Sequence, residues 1–316
     1  MASTDTPEPV VEDGITYWAN QPASYDGVLG KPHHDTTRVS ETPLTSTRPS
    51  AQASLPRIDA LGSRQFLLRL LPELSTVPSA IRPLAPSSQD ALRRTRVLDA
   101  GAGVGRVTGD VLLHLFSDVV LLEPVPSFID SALERGTASA APERVSDDAP
   151  SLPRWKGIHD KSKSVTFVQG TLQDFDSSRP LYATRRLGRV GYEPPTDDID
   201  SGFDVVWCQW CLGCLSDEGL VAFFRRCRAA LRDPRRGLIV VKENLCSDAG
   251  DKPRNVFDSE DSSLTRRVDL ACVGCENFRN AGLQVIHEQV QHGFPEGLYT
   301  VKMYALRGQD VSDRST

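Results

Sequence analysis

Asp99, Gly101, Gly103, Gly105 and Glu123 are the residues whose types and spacing point most directly to chemistry. The first four lie in Arg96-Val97-Leu98-Asp99-Ala100-Gly101-Ala102-Gly103-Val104-Gly105-Arg106-Val107-Thr108, an apolar run that enters a glycine turn. Glycine lets the backbone approach a ligand closely, and a turn between strand and helix offers its N–H groups to a nucleotide-type molecule. The spacing excludes a dinucleotide fingerprint: Gly-x-Gly-x-x-Gly counted from Gly101 ends on Arg106, and counted from Gly103 ends on Thr108. Downstream, Val119-Val120-Leu121-Leu122 closes on Glu123, about 20 residues past the turn, where a carboxylate can accept from both hydroxyls of a ribose. A glycine turn alone is more often just a tight turn; turn, spacing and second acid together make a ligand site.

Cysteine is the other residue type that invites a functional reading. The seven cysteines are an odd number, which fits free thiols in a reducing compartment better than a disulfide framework. Cys208, Cys211 and Cys214 are evenly spaced, and Cys272 and Cys275 form a Cys-x-x-Cys pair. The first set follows an apolar strand and the second lies in a helical pattern beside Val268, Val273 and Phe278, so most read as small buried hydrophobes and no metal is expected.

These residues need elements to hold them. A chain of 316 residues, 39% hydrophobic and 25% charged, has ample material for a globular core. No apolar run approaches the roughly 18 residues that span a bilayer, and the acidic N-terminus is no secretory signal. The net charge of −6 argues against broad phosphate-backbone binding, so neither nucleic acid nor membrane is an expected partner. A monomer in the cytoplasm, and also in the nucleus, is expected.

Residues 1–14 read as a disordered tail, and Ser-, Thr- and Pro-rich sequence runs from Lys31 to Pro56. A helix is expected over Ile58–Leu71, ending near Pro72, after which 75–95 connects to the first strand. Strands are read at 96–100, 119–123, 164–168, 203–207 and 237–241, with polar insertions near 136–163 and 176–200 between them. Helices follow the first two strands and Ser216, whose helix presents Leu220, Phe223, Phe224, Cys227, Ala230 and Leu231. Asp261 or Ser262 is expected to cap a helix ending near Asn280, and 284–286 pairs antiparallel with 299–304. The alternation predicts an α/β fold: a doubly wound, seven-stranded, mostly parallel sheet over 96–307, an N-terminal helical and loop extension over 15–95, and a tail at 308–316. Gly101, Glu123, Leu172, Gln209 and Asn244 all fall at carboxyl ends of strands, where such sheets bind ligands.

Asp99-x-Gly-x-Gly-x-Gly105 is the pattern of S-adenosylmethionine-dependent methyltransferases. Adding Arg106, Gly170-x-Leu-Gln-Asp-Phe175, Trp207-x-Gln-Trp210, Lys242-x-Asn244 and Asp258-x-x-Asp261-Ser-Ser263, the chain resembles the alpha-N-terminal protein methyltransferases. Thr16-Tyr17-Trp18 and Asp26-Gly27-x-Leu29-Gly30 resemble that family's N-terminal segment, which covers its substrate channel. The resemblance implies methyl transfer to the α-amine of proteins beginning Xaa-Pro-Lys after removal of Met. It places Gly101, Gly103, Arg106, Glu123, Leu172, Gln173 and Gln209 on the cofactor, and Tyr17, Trp18, Leu29, Trp210, Cys214 and Tyr299 along the peptide channel. Asp261, Asn244 and Asp258 become the catalytic set. The family's usual His after Gly is Cys214 here, which leaves Asp261 as the carboxylate to take or orient the amine proton. The alternatives on this scaffold are a small-molecule or side-chain N-methyltransferase and an inactive cofactor-binding homologue.

Overall fold

The computed structural model describes residues 7–29, 49–75, 93–142, 153–176, 179–246, 255–266, 273–294 and 298–309. In chain order these form α1 (Val11–Ala19), α2 (Pro49–Leu70), β1 (Arg96–Ala100), a π turn (Thr108–Leu112) running into α3 (Leu113–Leu115), β2 (Asp118–Glu123), α4 (Pro126–Ala140) and β3 (Ser164–Gln169). They continue as β4 (Arg185–Gly191), β5 (Val205–Gln209), α5 (Asp217–Ala229), β6 (Leu238–Leu245), β7 (Val256–Asp258), β8 (Ser263–Thr265), α6 (Val273–Asn280), β9 (Leu283–Val290) and β10 (Thr300–Gly308).

The central sheet runs β4-β3-β2-β1-β5-β6-β10-β9. Its inner five strands pair in parallel, and β4, β10 and β9 join antiparallel. The parallel strands read as unbroken apolar runs because both faces are covered. In β2, Val119 and Leu121 face one core with α2, α3 and α4, while Val120 and Leu122 face the other with α5 and α6. The register aligns Ala100 with Leu122 on one side and Cys208 on the other, and Gln209 with Lys242, so the strand ends form one row.

The α/β, mostly parallel architecture is as expected, with four differences in its elements. An eighth strand, β4, lies within the stretch read as a polar insertion over 176–200. Its sequence, Arg185-Arg-Leu-Gly-Arg-Val-Gly191, is too charged for the usual strand signal because it is an edge strand, where arginine is tolerated and guards against pairing with other chains. The stretch 136–163 likewise contributes to the core: α4 reaches Ala140, and Trp155 is buried, stacked on Phe167 at 6.1 Å between centroids. The tail assigned to 1–14 gives way to helix from Val11, and Gly14 is buried. Asp261 and Ser262 cap no helix; they form the turn of the β7–β8 hairpin.

Residues 31–48 of the Ser-, Thr- and Pro-rich stretch, most of the 75–95 connection and Cys272 lie outside the described residues. Among the described residues, Cys208, Cys211, Cys214 and Cys227 are free thiols, no three His, Cys, Asp or Glu side chains are grouped to hold a metal, and no helix is long and apolar enough to cross a membrane.

Candidate active site

The glycine turn leaves β1 with Gly101, Gly103 and Gly105 at φ of +64°, +57° and +73°, a left-handed geometry that a side chain would strain. Space is closed as well. A Cβ on Gly101 would lie 2.4 Å from Cβ of Cys211, and one on Gly105 would lie 2.7 Å from the Trp155 ring. Glu123, at the end of β2, draws the turn inward: Gly103 N–H donates to its Oε2 at 2.8 Å and Val125 N–H to its Oε1 at 2.9 Å. Each oxygen keeps a second lone pair, enough for a vicinal diol. Thr108 Oγ1 donates to Asp99 Oδ2 at 2.6 Å within the π turn, a local irregularity often found at functional sites. Burial pushes both carboxyls, Asp99 and Glu123, up to about 7.

Beyond the turn lies a buried polar cluster that sequence patterns do not mark. Asp59, on α2, accepts from Arg106 Nη1 at 2.7 Å, from Gln209 Nε2 at 3.0 and 2.9 Å, and from Lys242 Nζ at 2.5 Å. Burial opposes its ionisation, but the Arg106 and Lys242 charges hold its carboxyl below the usual range. Gln209 Oε1 in turn accepts from Trp207 Nε1 at 3.2 Å, which places Trp207 in the core.

After Gln209 the chain makes a sharp bend. Trp210 has φ +54°, unusual for a bulky residue and a form of strain that clusters at functional sites. The bend is held from β6: Trp210 N–H donates to Lys242 O at 3.0 Å, and Glu243 Oε1 accepts from Cys211 and Leu212 N–H at 3.0 and 3.1 Å. Burial of the Glu243 carboxyl raises it to about 7. The Trp210 ring lies 5.5 Å from the Arg106 guanidinium, and its indole N–H is buried with no acceptor among the described residues. Gln173 Nε2 reaches Cys214 O at 3.2 Å, with Leu172 buried beside it. The Cys214 thiol donates to Cys211 O at 3.1 Å, and burial pushes it up to about 12.

The β7–β8 hairpin packs on this bend: a Cβ on Gly213 would lie 3.1 Å from Leu264 O, and Arg266 donates to Leu212 O at 3.2 Å. At its turn, buried Asp261 accepts from Ser263 Oγ at 2.6 Å, while half-buried Asp258 accepts from Glu260 N–H at 2.8 Å. Helix α1 crosses the turn, its first N–H from Val10 donating to Ser262 Oγ at 2.8 Å. That contact carries Tyr17 and Trp18 over the site, edge to face at 5.2 Å, with Trp18 packed toward Val104 of the glycine turn. Val28 also lies on that turn, 3.3 Å from where a Cβ of Gly103 would be. Asn244 pairs with Val301 near the end of β6, and Tyr299 lies just beyond the last pair, Leu245 with Thr300.

The arrangement matches a known family along nearly its whole length. The description "AdoMet dependent proline di-methyltransferase" fits residues 6–182 and 184–307. The chain belongs to that family. Within it, the chain is 30% identical to alpha N-terminal protein methyltransferase 1 of Schizosaccharomyces pombe over 95% of this chain and 97% of that one. It is 32% identical to the protein of the same name from Arabidopsis thaliana, covering 93% and 78%. N-terminal Xaa-Pro-Lys N-methyltransferase 1-B of Xenopus laevis is 30% identical, covering 92% of both chains. A solved S-adenosylmethionine-dependent methyltransferase of Leishmania major superposes with a TM-score of 0.59 at 25% identity, covering 94% of this chain and 82% of that one.

As an AdoMet-dependent proline di-methyltransferase family member, the protein is an S-adenosylmethionine-dependent methyltransferase. Its own residues fit the cofactor. The glycine cradle would be filled by any Cβ, Glu123 retains free lone pairs, and the orphan N–H of Trp210 awaits an acceptor. The fold brings Gly101, Gly103, Arg106, Glu123 and Gln209 into one row, with Leu172, Gln173, Trp210 and Cys214 on the adjoining bend. Asp258 and Asp261 lie on the hairpin that α1 touches at Val10 and Gly14, and the same helix carries Tyr17 and Trp18, the latter packed toward Phe128 and Val104; Asn244 and Tyr299 share the end of β6 and β10. The Leu29 side chain lies outside the described residues, its backbone ending a short turn, Gly27–Leu29. Asp59, Glu243 and Trp155 were missed. Only Glu243 had a signal, an acid between Lys242 and Asn244 at a strand end.

Proposed function

We propose that this methyltransferase acts on the α-amine of proteins beginning Xaa-Pro-Lys once Met is removed. The observation that carries the reading is the buried Asp261, set in a hairpin turn that α1 covers and that rests on the bend following Gln209. The names of the relatives from yeast, plant and frog support the same reading.

Gly101, Gly103, Arg106, Glu123, Leu172, Gln173 and Gln209 would hold S-adenosylmethionine, which supplies a methyl group on a cationic sulfonium. The remaining residues must deliver a neutral amine in line with that group, so alignment dominates the catalysis. An α-amine has a pKa of about 7.7–8.0, and roughly a tenth is neutral at pH 7. Deprotonation therefore costs about 1–1.4 kcal/mol, against roughly 4.6 kcal/mol for a lysine side chain. One modest base is enough. Asp261 takes or orients the ammonium proton, and Asn244 holds the amine. Asp258 reads the lysine at the third position. Tyr17, Trp18, Trp210 and Tyr299 pack around the proline and the cation that forms. Cys214 is no base, because its thiol stays protonated at neutral pH.

Incubation with S-adenosylmethionine and peptides beginning Ser-Pro-Lys or Ala-Pro-Lys tests the reading by mass and fragmentation. Methyl groups are expected on the α-nitrogen, and N-acetylated copies should be inert. Methylation of the lysine side chain in an acetylated peptide would overturn it.

A further inference from the structure

Lys242 has no task in the reaction above, yet its side chain is among the most enclosed in the protein, at 0% exposure. Its Nζ donates to Asp59 Oδ1 at 2.5 Å, Ser63 Oγ at 2.9 Å, and Asp59 O and Gln291 Oε1 at 3.2 Å. The Asp59 carboxylate that it holds is shared with Arg106 and Gln209. One side chain from α2 thus ties together groups from β6, the end of the glycine turn and the end of β5. Two basic side chains meet one carboxylate, and burial pushes the Lys242 ammonium down from its ordinary value while Asp59 opposes that shift. Burying such ions is costly, and apolar residues of similar volume would pack the same space at least as stably.

Two of the tied groups, Arg106 and Gln209, flank the cradle in which the cofactor binds. The only anion of S-adenosylmethionine is its α-carboxylate, and a guanidinium is the side chain best shaped to receive it. With Nη1 of Arg106 anchored on Asp59, the plane of the guanidinium is set and its other N–H groups are aimed.

We propose that Asp59 is a positioning residue for the cofactor: it fixes Arg106 and Gln209 against the amino-acid end of S-adenosylmethionine, with Lys242 holding Asp59 in place. This rests on the assignment of Arg106 and Gln209 to the cofactor.

Calorimetry with two ligands tests it, S-adenosylhomocysteine and methylthioadenosine, which keeps the nucleoside and sulfur but lacks the amino-acid end. Asp59→Asn should weaken S-adenosylhomocysteine binding roughly ten- to a hundredfold and leave methylthioadenosine binding nearly unchanged. In Asp59→Asn combined with Arg106→Met, the loss should fall well short of the sum of the two single losses, because the part that runs through Arg106 is already gone and only the part through Gln209 remains. Asp59→Glu keeps the charge, and should show the same ligand-selective loss in smaller measure; it serves if Asp59→Asn does not fold. Equal losses for both ligands, no loss, or losses that add in the double variant would overturn the proposal. If Arg106→Met alone leaves S-adenosylhomocysteine binding intact, the cofactor assignment beneath it fails first, and the two failures are told apart by that single variant.

Discussion

Asp261 and Cys214 stand on either side of the question of where the amine proton goes. The Cys214 thiol donates to Cys211 O and is pushed up to about 12, so it has no proton-accepting role at neutral pH. Cys214→Ala should leave kcat near the parent value, whereas Asp261→Asn should lower kcat about 10²–10⁴-fold, the usual size of a general-base effect. Steady-state rates on a Ser-Pro-Lys peptide decide this; equal damage from both folded variants would return the role to the thiol. Glu123 is assigned to the cofactor in the function proposed above. Removing its charge-assisted bonds in Glu123→Ala should weaken S-adenosylmethionine binding by about 1.5–3 kcal/mol, read by calorimetry.

Among the elements, α1 and the segment before β3 contribute more than their polar sequences suggest. Helix α1 touches the β7–β8 turn at Gly14, where an added Cβ would lie 3.1 Å from Asp261 O. A branched side chain there must lift the helix. Gly14→Val should raise the peptide KM about tenfold or more while changing cofactor affinity little, because the glycine cradle is held independently through Glu123. A parallel rise in the cofactor Kd would show that helix and cradle move together. Trp155 lies against Gly105, Gly109 and Gly136, three glycines that admit its ring to the core. Trp155→Ala should cost about 3–5 kcal/mol in denaturant unfolding, a core penalty that a surface insertion would not show.

For the molecule as a whole, three carboxyls are buried near the site, Asp99, Glu123 and Glu243, each raised to about 7 from ordinary values of 3.8, 4.5 and 4.5. In this window the folded state binds more protons than the unfolded chain, so stability falls as pH rises. Burial lowers His114 to about 4 and Lys163 to about 8, both of which have the opposite sign, but they are two groups against three and Lys163 acts only at the upper end of the range. The protein without cofactor should therefore melt at lower temperature at pH 8 than at pH 6. Glu243→Gln should flatten that slope, because its neutral amide oxygen still accepts from the Cys211–Leu212 bend. A melting temperature that rises from pH 6 to pH 8 would refute the assignment.

What the sequence determined by itself was set by local pattern. Apolar runs at 96–100, 119–123 and 164–168 read as strands of a mostly parallel sheet, and the glycine spacing before Arg106 excluded a dinucleotide fingerprint. Trp207, inside the run at 203–207, is buried as the strands of such a sheet are. Tertiary structure decided what periodicity cannot carry. The strand Arg185–Gly191 is written in arginines because an edge needs no second apolar face. Asp261 sits in a hairpin turn because its short flanking strands, Val256–Asp258 and Ser263–Thr265, pair with each other and pack on the bend rather than on the main sheet. Asp59 shows the limit most plainly. Nothing around it in the sequence marks it, since its partners Arg106, Gln209 and Lys242 arrive from distant strands, and only folding reveals that one buried carboxylate holds all three.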